Sequence, residues 1–147
     1  MKKRIAALAA IVLIFAMVLT ACDGGQTEEF TVGMVTDIGG VDDKSFNAMA
    51  WQGVQRAEEE LGIEGSYLES QQQTDYATNL TQYLNQGTDL IITVGFLLAD
   101  ATEQFARDNP DTSFAIVDYS FDPPIDNVRG LTFSTDEAAF LAGYAAA

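Results

Sequence analysis

From Phe30 onward the apolar positions of the chain switch back and forth between two periods. Phe30-Thr-Val-Gly-Met-Val-Thr36 is β-rich and ends at Asp37-Ile-Gly-Gly40, whose paired glycines supply the positive φ a tight turn needs. Beyond it Phe46, Met49, Ala50, Val54, Ala57 and Leu61 recur at steps of three and four. That is the stripe of an amphipathic helix, with Asp43 as its N-cap and Gly62 as its stop. Glu58-Glu59-Glu60 in its last turn runs against the helix dipole and reads as a solvated face. Gly65 to Glu69 predicts a second strand, and Tyr76 to Gln86 a second helix with Leu80, Tyr83 and Leu84 inward and Gly87 past its end. Asp89-Leu-Ile-Ile-Thr-Val94 is almost continuously apolar between two glycines, as expected of a central strand covered on both faces. Phe96 to Arg107 predicts a helix that Pro110 ends, and Ser113 to Asp118 another buried strand. Asp122-Pro123-Pro124 forces a loop; Val128 to Phe133 offers a fifth strand, and Glu137 to Ala147 an Ala-rich helix with Phe140, Leu141 and Tyr144 on one side.

Strict alternation of strand and helix predicts an α/β, doubly wound parallel sheet with right-handed crossovers and helices on both faces. Ligands of such sheets meet the loops beyond the carboxyl ends of the strands. Asp37 to Phe46, Ser70 to Thr74, Gly95 to Leu97 and Asp118 to Asp122 are therefore expected to converge.

Upstream of this region Lys2-Lys3-Arg4 precedes the charge-free run Ile5 to Leu19. A run of this length is short for a membrane span of about 20 residues but suits the apolar part of a secretory signal. Leu19-Thr-Ala-Cys22 resembles a bacterial lipobox, which implies cleavage after Ala21 and lipid attachment at Cys22. Residues 1–21 then read as a lipoprotein signal peptide, 22–29 as a polar tether and 30–147 as the folded lobe. The mature part keeps 4 basic side chains (Lys44, Arg56, Arg107 and Arg129) against 22 acidic ones, a formal charge of −18. Nucleic acid is a poor partner for such a chain. Without histidine, and with its one cysteine assigned to the lipid, the sequence has no thiol nucleophile, no His-based acid/base pair and no nitrogen or sulfur metal site. No enzyme activity, cofactor or metal is expected.

Asp37-Ile-Gly-Gly-Val-Asp-Asp-Lys-Ser-Phe-Asn47 with Ala50-Trp-Gln-Gly53 resembles the N-terminal signature of the basic membrane protein family, also called purine nucleoside receptor-like. The resemblance continues through Gly87 to Gly95, Phe114 to Asp118 and Glu137 to Tyr144, and so covers the mature chain. It implies an extracytoplasmic, lipid-anchored substrate-binding protein that captures a purine nucleoside for an ABC permease. The implied fold is that of type I periplasmic binding proteins, two α/β lobes closing on ligand, of which this chain carries the first. Family members run to more than twice this mature length, so the break at Ala145-Ala-Ala147 reads as a truncation or fragment. By resemblance, Phe46 stacks on the base, Asn47 contacts its edge, and Asp37 and Asp118 accept hydrogen bonds from base or ribose. Ser45, Gly95, Phe96 and Tyr119 are further candidates for the cleft lining, with Phe121 beside them.

Each residue has a plainer reading that the sequence leaves open. Phe46 lies on the apolar stripe and so could pack in the core, Asn47 could solvate a first turn, and Asp37 and Asp118 could bond local backbone. Asp42 and Asp43 read as caps, Lys44 as a surface charge and Trp51 as a packing residue. A sugar receptor of the same architecture is the alternative function. A flavodoxin-like electron carrier fits the length, but its phosphate loop would be too acidic at Asp37 to Lys44. Carboxylates abound for a hydrolase, yet no spacing singles out a pair.

Overall fold

A computed structural model describes residues 29–147; the predicted signal segment, Cys22 and the predicted tether up to Glu28 lie outside the described residues. Five parallel strands form one sheet in the order β2-β1-β3-β4-β5, with β1 Thr31–Val35, β2 Glu64–Leu68, β3 Leu90–Val94, β4 Ser113–Val117 and β5 Val128–Leu131. The helices are α1 Phe46–Leu61, α2 Asp75–Gln86, α3 Ala99–Asp108 and α4 Thr135–Ala146. The expected doubly wound sheet is present, with β3 at its centre. The second strand begins one residue earlier than the sequence predicted, and the fifth ends at Leu131 rather than Phe133. The third predicted helix opens with a separate 3-10 turn, Phe96–Leu98, because Gly95 enters it at φ 93°, outside helical space.

The two faces of the sheet are covered unequally. On one, α2 and α3 bury Val35, Tyr76, Leu80, Tyr83, Ile91, Leu98, Ala106 and Phe114 in a continuous core. Gly33 permits this packing: a methyl group there would meet the Tyr83 ring at 2.6 Å. Thr93, buried in β3, is satisfied on this side by Thr102 of α3 at 2.8 Å. On the other face α1 covers only a small cluster, Met34, Val94 and Val117, with Ala50 and Trp51 packed against it.

Beside α1 that second face stays open as an apolar groove of about 900 Å³. The groove corrects the predicted inward stripe of α1: Val54 is buried, but Met49 is 63% and Leu61 75% exposed, because among the described residues no second helix packs on the sheet beside them. Phe140, Leu141 and Tyr144 of α4 are likewise exposed rather than packed. Glu58 does more than solvate a surface, since its Oε1 accepts the Gly65 amide at 3.0 Å and ties the end of α1 to β2. Among the described residues no helix is long and apolar enough to cross a membrane.

Candidate functional site

The strand order itself locates a crevice. From β1 the chain turns back to β2, whereas from β3 it moves the other way to β4, so the loops after β1 and β3 part at a topological switch point. Asp37 and Gly95 meet there: a methyl group on Gly95 would lie 3.7 Å from Asp37 Oδ2. One strand further along the same edge is Asp118, since Val94 pairs with Val117 and the Gly95 amide donates to the Val117 carbonyl at 3.0 Å.

Asp37 is held by one oxygen only. Its Oδ1 accepts the Gly39 amide at 2.8 Å and the Asn47 Nδ2 at 2.7 Å. Oδ2 accepts no hydrogen bond among the described residues and faces Gly95. Asn47 does not solvate the first turn of α1. It is buried, its Nδ2 is shared between Asp37 and Asp43 Oδ2 (3.1 Å), and its Oδ1 has no partner.

Asp43 caps α1 as predicted, although the residue immediately before the helix is Ser45, which makes no side-chain cap. The Asp43 carboxylate accepts from the amides of Ser45 at 2.8 Å, Ala48 at 3.0 Å and Asn47 at 3.0 Å. Partial burial pushes its pKa up, but these amides and the Asn47 side chain outweigh burial and hold it below the ordinary 3.8. A depressed folded-state value stabilises the fold above the unfolded pKa and loses that contribution as pH falls through the folded one. Asp43→Ala is therefore expected to lower stability by about 0.5–2 kcal/mol at pH 7. The difference from the parent should vanish in acid below 3.8, read by urea unfolding at a series of pH values.

Phe46 is neither entombed nor free. Phe46 is 47% exposed, lines the apolar groove, and its ring lies 5.9 Å, centroid to centroid, from that of Phe133. Ser45 beside it is exposed. Asp118 is half-buried with φ 62°, a left-handed conformation that Asp adopts more readily than most residues, and its amide donates to Leu131 at 2.8 Å. Tyr119, partly exposed, packs edge-on against Phe121 at 5.1 Å, and Phe96 projects 63% exposed.

Not every predicted residue reaches the rim. Ser70 is wholly buried, bonded to Asn79 Nδ2 at 3.0 Å, so the loop after β2 contributes Glu69 instead, whose Oε1 accepts the Val41 amide at 2.8 Å. Lys44 points to solvent, and Trp51 packs on Tyr67 at 4.8 Å. The sequence reading placed Tyr76 only as the start of a helix. Its hydroxyl is buried beside the Ile38 backbone without a well-formed hydrogen bond, and burial together with the Asp37 charge outweighs that contact and raises its pKa above the ordinary 10. An aromatic on an apolar stripe gives no sign of a polar tip aimed at a loop on another strand. Among the described residues no group of three or more acidic or sulfur side chains is disposed to hold a metal.

The open apolar groove is the larger concavity, but it is not matched to a polar ligand. Apart from Ser45 its lining is apolar or glycine, whereas the rim offers an unengaged carboxylate oxygen and exposed aromatic rings, with the orphan amide oxygen of Asn47 buried behind them.

Residues 30–147 match the family described as ABC transporter substrate-binding protein PnrA-like. The chain is 40% identical to a CD4+ T-cell-stimulating antigen of Listeria innocua, over 99% of this chain and 45% of that protein. It is 38% identical to the ABC transporter nucleoside-binding protein BmpA of Lactococcus lactis, over 100% of this chain and 45% of that one. Among solved structures, an ABC transporter solute-binding protein from Aeropyrum pernix superposes with a TM-score of 0.72 at 35% identity, covering 78% of this chain and 31% of that one. A lipoprotein fragment from Peptoclostridium difficile gives 0.67 at 29%, covering 80% and 97%. The chain thus spans under half the length of the curated relatives it matches. The family is one of transport substrate-binding proteins, not of enzymes, and distant dehydroquinase-like neighbours at 10% identity share only the fold. Switch-point sheet, loop motif and matched span agree: this chain belongs to the PnrA-like family of ABC transporter substrate-binding proteins and carries the first α/β lobe of its fold.

Proposed function

We propose that the protein captures a purine nucleoside outside the cytoplasm and presents it to an ABC permease, held at the membrane by lipid on Cys22. The observation that carries this reading is Asp37: one carboxylate oxygen is fixed by Gly39 and Asn47, and the other is unengaged at the β1/β3 switch point. A fixed carboxylate suits the hydroxyls of a ribose or the N–H edge of a base, and the half-exposed Phe46 ring suits the face of a purine. Asn47 Oδ1, an acceptor without a donor, suits an N–H on the base edge. Asp118 supplies a second carboxylate one strand further along the same edge, and Ser45, Gly95, Phe96 and Tyr119 are the further candidates for lining the cleft. Relatives named as a nucleoside-binding protein and as lipoproteins support the same reading. The mature charge of −18 favours neutral nucleosides over their phosphates.

Calorimetry with guanosine, adenosine, inosine and free ribose tests the proposal. Phe46→Ala should weaken nucleoside binding several-fold or more while leaving any ribose binding unchanged. Equal affinity of parent and variant for every nucleoside would remove Phe46 from the site. A preference for free ribose over inosine would select a sugar receptor instead.

A further inference from the structure

The residue that fixes the ligand carboxylate is itself fixed by the helix cap. Asn47 is 1% exposed, and its Nδ2 lies 2.7 Å from Asp37 Oδ1 and 3.1 Å from Asp43 Oδ2, so one amide bridges two carboxylates. Asp43 holds Asn47 by both side chain and backbone, because its Oδ2 also accepts the Asn47 backbone N–H at 3.0 Å while Oδ1 takes Ser45 and Ala48. The unpartnered Asn47 Oδ1 is the second observation: a buried acceptor without a donor contributes nothing to the orientation of this side chain, which therefore rests on the two carboxylates that share its Nδ2.

We infer that Asp43 is a positioning residue for ligand binding, acting through Asn47 on Asp37. This rests on the nucleoside reading of the Asp37 site. Asp43 is too occupied to touch the ligand: four N–H donors converge on its two oxygens. Its role is to decide which way the Asn47 amide points, and hence to keep Asp37 Oδ1 engaged and Oδ2 facing Gly95. Asparagine at position 43 has the same shape but one acceptor oxygen. Its NH₂ would be set against one pair of those donors, and either the cap or the Asn47 amide must turn away.

The experiment is a cycle of the parent chain, Asp43→Asn, Asn47→Ala and the double variant, titrated with inosine and guanosine by calorimetry, with thermal unfolding of each free protein. Asp43→Asn should raise Kd about 3- to 10-fold in the parent background, the worth of one ordinary hydrogen bond, because the effect reaches the ligand only through Asn47. In the Asn47→Ala background it should raise Kd by less than twofold, since the group through which it acts is gone. An equal loss in both backgrounds overturns the inference, as does an unchanged Kd, or a fall in binding stoichiometry with Kd intact, which reports unfolding alone. If the parent binds neither nucleoside, the reading of the site fails and this inference with it; if only the Asp43 effect is missing, the site stands and the inference alone falls.

Discussion

Phe114→Ala is expected to lower the unfolding free energy by about 3–5 kcal/mol and the melting temperature by on the order of 15 °C. Phe114 is 2% exposed in β4, between Ile91 of the central strand and Val128 of the edge strand, on the face that α2 and α3 close. Removing its ring leaves a cavity that neighbours fixed by two strand registers fill poorly. Leu61→Ala is the control. Leu61 is 75% exposed over the open groove, so the same kind of truncation there should change stability by less than about 0.5 kcal/mol. Urea unfolding of both variants checks the pair. A Phe114 cost no larger than that of Leu61 would mean that the core does not lie on the α2/α3 face.

Asp37→Asn should weaken nucleoside binding by about 10- to 100-fold, measured by calorimetry at pH 7. The substitution keeps the shape of the side chain and one oxygen for the Gly39 amide, so far-UV circular dichroism should not change. It removes the charge that makes Oδ2 a strong acceptor and, with the oxygen kept on Gly39 and Asn47, sets an NH₂ toward the ligand. A change below twofold would show that the rim carboxylate does not meet the ligand. Asp37→Asn and Phe46→Ala probe different parts of a nucleoside, polar edge and flat face, so their losses should be close to additive for inosine.

Much of this was legible from side-chain order alone. Periodicity placed all five strands and four helices to within a few residues, because a strand covered by helices must be apolar throughout, as in Leu90–Val94, and a covering helix must be apolar at three- and four-residue steps. Glycines at 62 and 87 marked two helix ends, where the backbone is left-handed. The candidate site was legible only as a set of loops. Asp37, Asn47 and Asp43 lie in one stretch of chain, yet nothing in their spacing says that Asn47 is buried with its amide between two carboxylates. Tyr76 was hidden because its ring obeys the helix stripe while its hydroxyl reaches toward a loop from another strand.

The order of residues by itself determined the alternation of β and α, the parallel sheet and the end of it where the candidate loops gather, because these follow from local periodicity and the handedness of crossovers. Only the tertiary structure decided which oxygen of Asp37 is engaged and which is open, that α1 covers its face of the sheet only in part, and that the Asp43 cap shares the Asn47 amide with Asp37. Those outcomes depend on distances between groups on different strands and turns, and hydrogen-bond partnership over a few ångströms is fixed by packing, not by the spacing of residues along the chain.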